Sequence, residues 1–466
     1  MRAAPSPTIP PLAGGETGPD ALRPLLDTVL DALREGAAAR GGPLPAGGPA
    51  AVTARLREAL GETLPDTGTD PREALHTLTR ALTEGAADPA HPHCAAHLHT
   101  PPLALAAAAD LAASALNPSM DSWDQAPAAS ALEHLVTQAL AAEVYPHAPH
   151  PDALVTTGGT ESNQLALLLA RERHGPARAV QTVVAAAAHH SFHRAAWLLG
   201  LPEPVTIPSP TGTLDPVALD EALTHLHGPL LVAATAGTTD TGRIDPLPEI
   251  ADLCRTHGAD LHIDAAYGGP ALLSATHRPL LAGIDRAHTV TLDLHKLGWL
   301  PAAAGILAVR DTADLTPLAH TTDYLNADDD TEAGLPDLLG RSPRTTRRPD
   351  VLKIAVALRA LGRTGLGDLV DRCATLARHL ADLVDKNPAL ELYERPTLTT
   401  VLFRPRHAPD SHIAAIRRTL LTQGRAVLGR ARADDRLWLK ATLLNPHTTP
   451  DDLDTLITLV EGSTDR

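Results

Sequence analysis

The sequence predicts an α/β protein: a large domain on a mostly parallel sheet, a helical segment ahead of it and a small α+β domain behind. Three observations predict this. Short apolar segments alternate with amphipathic helical ones from about residue 100 to 310, the pattern of strands joined by crossover helices. Most of those short segments are apolar throughout, as strands buried on both faces must be. After Pro349 the alternation gives way to long helical stretches and then short strands.

Residues 1–20, rich in Pro, Gly and Thr, are expected to lack fixed structure. A helical N-terminal segment follows over 21–95. PLLDTVLDALREGAAAR (24–40) has apolar residues at helical spacing and stops at Gly-Gly-Pro, and further helices are expected near 51–60 and 71–85. The large domain, 96–348, holds the candidate strands ALVTT (153–157), AVQTVVAAAA (179–188), PLLVAATAG (229–237), ADLHIDAA (259–266), AHTVTLDLH (287–295) and AGILAVR (304–310). The small domain, 349–466, opens with helices over 351–363 and 366–386. TLTTVLFRP and RLWLKATLLNP then read as strands, and a helix closes the chain.

Composition narrows the function. A formal charge of −16 without a basic stripe excludes electrostatic capture of nucleic acid or an anionic membrane. Three scattered cysteines, Cys94, Cys254 and Cys373, suit a reducing cytoplasm better than a disulfide framework. No signal peptide and no apolar run of membrane-spanning length is evident. Only ten aromatic residues occur, so Ala and Leu must fill the interior.

Ligands in such sheets collect beyond the carboxyl ends of the strands. TTGGTESN joins a strand to a helix through Gly158, Gly159 and Thr160; it reads either as a phosphate cradle at a helix N-terminus or as a plain tight turn. Asp264 ends one apolar strand, and His295 with Lys296 ends another. Singly, each reads as well as a structural ion pair. Together they describe the needs of pyridoxal phosphate: an amine for its aldehyde, a carboxylate for its ring nitrogen and a helix N-terminus for its phosphate. His189, after a further strand, could stack on the ring, and Thr235 could hydrogen-bond near it.

The ordered set TTGGTESN, HHSFHRAA, ATAGTTDTG, HIDAAYGG and DLHK resembles the group II pyridoxal-phosphate-dependent amino-acid decarboxylases. SWDQAPAASALE, TTRRPDVLKIAVALRALGRTGL and LKATLLNPHTT extend the likeness over most of the chain from about residue 85. The resemblance implies the aspartate-aminotransferase type of fold (fold type I), a homodimer with shared active sites and a decarboxylase reaction. It implies Lys296, His189 and Asp264 as catalytic residues. Cofactor contacts would come from Gly159, Thr160 and His295 at the phosphate, Thr235 beside the ring and Ala266 against its face. It also implies a tyrosine in the loop before the small domain, yet GLPDLLGRS (334–342) has none, and the nearest is Tyr324.

HPHCAAHLHT (91–100) first reads as a zinc site, with His91, His93, Cys94, His97 and His99 as ligands. Its prolines and the lack of a second cysteine argue against metal. Within the resemblance, His97, Leu98 and His99 become a substrate wall in place of aromatic residues. Asp121, near Trp123, would meet a distal ammonium group on the substrate. The wording is most similar to 2,4-diaminobutyrate decarboxylases, so a small diamino L-amino acid is expected. A lysine- or ornithine-type decarboxylase, an aldehyde synthase and a transaminase are the alternatives. A desulfurase would need a reactive loop cysteine, whereas Cys254 and Cys373 lie in helical patterns.

Overall fold

The computed structural model describes residues 10–175, 179–319, 325, 327–336 and 338–463. Helices α1 (Gly18–Arg40), α2 (Gly48–Leu60) and α3 (Pro71–Gly85) come first. The expected irregular start ends sooner than residue 20. Pro19 and Asp20 instead form the first turn of α1, where proline loses no helical hydrogen bond and a carboxylate meets the positive end of the helix. Asp70 caps α3 by accepting from the amides of Arg72 and Glu73.

Helices α4 (Ala104–Leu116) and α5 (Pro127–Val144) lead into the large domain. There β1 (Asp152–Thr156), α6 (Gly159–His174), β2 (Gln181–Ala185), α7 (Ser191–Leu199), β3 (Val205–Ile207), α8 (Pro216–His225), β4 (Leu230–Thr235), α9 (Leu247–His257), β5 (Asp260–Ala265), β6 (Thr289–Asp293) and β7 (Gly305–Val309) succeed one another. They form one sheet in the order β1-β7-β6-β5-β4-β2-β3. Strands β6, β5, β4, β2 and β3 run parallel, and β7 is antiparallel to both of its neighbours. All six expected strands are present, five within the expected range and β1 starting one residue before it, and β3 is added. Val232, Ile263 and Val290 are completely buried, and each such side chain contributes about 1.5–3 kcal/mol by leaving water.

After α10 (Asp328–Glu332), the long α11 (Val351–Lys386) crosses to the small domain. The two expected helices are continuous except at Gly362, whose φ of 63° and ψ of −175° kink the axis. A four-stranded antiparallel sheet follows, ordered β10-β11-β9-β8 from β8 (Leu390–Leu392), β9 (Thr400–Pro405), β10 (Gly429–Ala433) and β11 (Arg436–Thr442). Helices α12 (Asp410–Thr422) and α13 (Pro450–Glu461) complete this domain.

Buried hydrogen bonds fix the two domains to each other. The Trp299 indole donates to Leu444 O at 2.7 Å. The Tyr267 hydroxyl accepts from the Thr399 amide and bonds the hydroxyls of Thr399 and Thr400. The histidine-rich segment is a third tie: Val427 N donates to His93 O, Ala95 N to Val427 O, and Thr442 N to Ala95 O.

Candidate active site

At the carboxyl ends of β1, β4, β5 and β6 lies a cavity of about 310 Å³. Glycine makes its first wall possible. A Cβ on Gly158 would lie 3.0 Å from His295 Cε1, and one on Gly159 would lie 3.2 Å from Asp293 Oδ2. The turn therefore presses against the end of β6, and α6 begins with no side-chain cap on its free amides. Thr160 joins it in the lining. Thr157 at the rim donates through its amide and hydroxyl to Glu161, which Arg344 holds from the loop before α11.

Asp264 ends β5, almost wholly buried. Its Oδ1 accepts from Ala266 N at 3.1 Å and its Oδ2 from Asn163 Nδ2 at 2.8 Å. Lys296 follows β6, with Nζ 2.9 Å from Asp293 Oδ2. Asp293 Oδ1 is buried without a partner among the described residues, as is Thr235 Oγ1 at the end of β4. The Thr235 amide is held by Asp245 Oδ2 at 2.7 Å; burial pushes the Asp245 carboxyl up to about 6.

His189 lies between β2 and α7, and its Nδ1 accepts from Ser191 N at 3.3 Å. Burial lowers the pKa of both His189 and His295, which favours the neutral imidazoles. The His189 proton then sits on Nε2. His295 Nδ1 accepts from Ala304 N at 3.4 Å, and its carbonyl accepts from Thr100 Oγ1 at 3.0 Å, so the end of the histidine-rich segment is fastened to the lysine turn.

Of the residues singled out by sequence, Gly159, Thr160, His189, Thr235, Asp264, Ala266, His295, Lys296 and Leu98 all line this one cavity. His97 and His99 do not. The segment bends so that both imidazoles are exposed while Leu98 turns inward. Asp121 and Trp123 are also outside it. Met120 N bonds Arg347 O and holds their loop toward α5, where Trp123 lines a separate cavity with Glu133 and Arg341. Asp121 is buried there with Oδ1 unpartnered among the described residues. Tyr324 lies outside the described residues.

The other imidazoles of the cluster have structural partners. His91 Nδ1 accepts from His93 N, and His93 Nε2 bonds Asp452 O. Among the described residues no three His, Cys, Asp or Glu side chains converge as a metal would require.

Sequence reading passed over Asn163, His262 and Asp293. Each stands inside a quoted motif, in TTGGTESN, HIDAAYGG and DLHK. A polar residue one turn into an apolar helix, or inside an apolar strand, was the signal that could have found them.

The chain matches the pyridoxal-dependent decarboxylase conserved domain over residues 54–406. It is 42% identical over 405 residues to an L-2,4-diaminobutyrate decarboxylase of Rhizobium meliloti, covering 83% of this chain and 81% of that protein. A second protein of that name, from Acinetobacter baumannii, is 32% identical over 446 residues, covering 88% and 87%. Among solved structures, the glutamate decarboxylase domain of diaminobutyrate-pyruvate transaminase and L-2,4-diaminobutyrate decarboxylase from Vibrio parahaemolyticus superposes with a TM-score of 0.86. It is 31% identical and is covered over 97% of both chains.

Proposed function

Because this chain belongs to the pyridoxal-dependent decarboxylase family, we propose that it removes carbon dioxide from a small diamino acid, converting L-2,4-diaminobutyrate to 1,3-diaminopropane. The observation that carries the chemistry is the meeting of Lys296, Asp264 and the Gly158–Gly159 turn around one cavity.

The residues present fit pyridoxal phosphate. Uncapped amides at the start of α6 suit its phosphate, and a Cβ on the turn that bears them would crowd His295, Ala266 and Asp293. Thr235 Oγ1 is a buried hydroxyl without a partner among the described residues. When bound, the cofactor supplies an aldehyde that links to amines and a ring that takes up the electron pair left by departing carbon dioxide. Lys296 would hold that aldehyde between turnovers and free it to the substrate amine. Asp264 would accept the ring N–H, its negative charge stabilising positive charge there. Gly159, Thr160 and His295 would hold the phosphate, the Ala266 methyl would lie against the ring, and His189 would cover it with an imidazole whose proton stays on Nε2.

Two features support a small, non-aromatic substrate. The inward residue of the 91–100 segment is Leu98, and the one tyrosine in the lining among the described residues, Tyr267, spends its hydroxyl on Thr399 and Thr400. Its two relatives named for diaminobutyrate point the same way.

The proposal includes a cytoplasmic homodimer with shared sites. Leu30, Leu33, Leu78 and Leu82 on α1 and α3, with Leu111, Leu116, Trp123 and Leu135 around α4 and α5, leave apolar surface exposed. A second copy would cover it and bring Asp121 to the neighbouring site. No helix among the described residues is long and apolar enough to cross a membrane.

Carbon dioxide release from diaminobutyrate, ornithine, lysine, glutamate and aromatic amino acids tests the proposal, with hydrogen peroxide and ammonia read in parallel and Lys296→Ala as the blank. Diaminobutyrate is expected to give the highest kcat/KM. Preference for another substrate, or peroxide in step with carbon dioxide, would overturn the assignment.

A further inference from the structure

Behind Asp264 runs a file of buried polar side chains. Asn163, His262 and Thr291 have no exposed surface, and Thr289 has almost none. The β5–β6 register sets His262 beside Thr289 and Asp264 beside Thr291.

Donor and acceptor roles along this file follow from its first member. An Asp264 carboxylate can only accept, so Asn163 must present its amide nitrogen, which reaches Asp264 Oδ2 at 2.8 Å and Ser191 Oγ at 2.9 Å. Asn163 Oδ1 is then an acceptor, and both groups facing it must donate: Thr291 Oγ1 at 2.9 Å and His262 Nε2 at 3.0 Å. Complete burial lowers the His262 pKa to about 4, so its ring carries a single proton at neutral pH. That proton is on Nε2. Nδ1 is left as an acceptor for the Thr289 hydroxyl at 2.8 Å. One hydrogen from each of Thr289, His262 and Asn163 thus points along the file toward Asp264, and the second Asn163 amide hydrogen goes to Ser191 Oγ. A reversed Asn163 amide would set its oxygen against Asp264 and its NH2 against two donors.

We propose that Thr289, His262 and Asn163 are positioning residues that fix the donor on Asp264 and, through it, keep the proton on the cofactor ring nitrogen. None of the three needs to touch substrate. A neutral relay suits this task because it orients the carboxylate without a buried cation that would compete with the ring N–H for it. The inference rests on the pyridoxal-phosphate reading of the cavity.

Three substitutions of similar size test the directions. His262→Gln can donate through its amide nitrogen to Asn163 and accept from Thr289, whereas His262→Leu can do neither. Asn163→Asp places a second carboxylate at hydrogen-bond distance from Asp264, where two such groups share a proton. Each holoenzyme, loaded with pyridoxal phosphate labelled with nitrogen-15 in the ring, is read by NMR for the ring proton and by kinetics for kcat and KM.

The native enzyme and His262→Gln are expected to keep the ring proton. His262→Leu and Asn163→Asp should lose it and drop kcat roughly 10- to 100-fold with KM changed little. Should His262→Leu not fold, His262→Gln against Asn163→Asp decides the same point. A ring proton retained in Asn163→Asp would overturn the relay, and so would its loss in His262→Gln. A native ring nitrogen without a proton, or a native protein that binds no cofactor, would instead overturn the reading of Asp264 beneath it.

Discussion

Asp293 Oδ2 lies 2.9 Å from Lys296 Nζ, while Oδ1 of the same buried carboxylate faces the glycine turn with no partner among the described residues. The amine thus stands against one carboxylate while a second, Asp264, waits on β5. Asp293→Ala would leave the ammonium without its nearest counter-charge, and losing a partly buried ion-pair partner costs about 1–3 kcal/mol. The cofactor-free variant should show a lower denaturation midpoint and capture pyridoxal phosphate at least about tenfold more slowly. Asn in the same place keeps an acceptor and should restore much of both. Equal capture rates in native protein and Asp293→Ala would remove this role.

Asp264→Ala tests the charge beneath the ring. With the cofactor bound, a ring proton held by Asp264 would stabilise the developing electron pair, and losing it should lower kcat by several orders of magnitude, more than about 4 kcal/mol of transition-state stabilisation. Retained cofactor absorbance would show that the site still loads. Near-native turnover in the loaded variant would end the assignment.

The large domain was legible because its strands are buried on both faces. ADLHIDAA and AHTVTLDLH could be read as strands from their apolar runs, and the reactive residues stood at the ends of those runs. The three-residue strands Val205–Ile207 and Leu390–Leu392 were too short to leave a periodic signal. Asn163 and His262 went unread for another reason: their partners are distant in sequence, 101 residues away for Asn163 and Asp264, and are set by how α6 packs on the sheet and by the β5–β6 register. His97 and His99 lie outside this chain's cavity because the segment turns Leu98 inward and leaves both imidazoles exposed.

The cysteines should be inert in the native protein. Burial raises the thiol of Cys94 to about 11 and those of Cys254 and Cys373 to about 12. At pH 8 their thiolate populations fall at least roughly 100-fold below that of an exposed thiol. Alkylation followed by mass spectrometry should modify them slowly when folded and quickly in denaturant. Rapid native labelling of any one would reopen desulfurase-type chemistry.

Asp121 supplies a test of the shared-site dimer. Its Oδ1 is buried and has no donor among the described residues, so it can meet a substrate ammonium in the neighbouring site only if the loop between α4 and α5 turns outward on assembly. Asp121→Asn should raise KM for diaminobutyrate about 10- to 100-fold and alter kcat much less. An unchanged KM would leave Asp121 a structural residue of the loop between α4 and α5. Sedimentation of the native protein as a monomer would remove the shared site altogether.

His262 gives the stability of the cofactor-free protein an acid dependence of known sign. Its folded pKa is about 4 against an ordinary 6.5, so the unfolded chain takes up a proton that the folded chain refuses. Its contribution is therefore complete above about pH 6.5 and lost as pH falls toward 4, about 3 kcal/mol at full extent. Asp245, raised to about 6, works in the opposite direction: its folded form takes the proton first and gains stability as pH falls through the same window. Both proteins in a comparison of native with His262→Gln carry Asp245, so its effect cancels in their difference. Denaturant midpoints measured from pH 7.5 to 4 should show the native protein losing ground to His262→Gln across that range. A difference that stays flat would mean that His262 is not held neutral, and the direction of the whole file from Thr289 to Asp264 would fall with it.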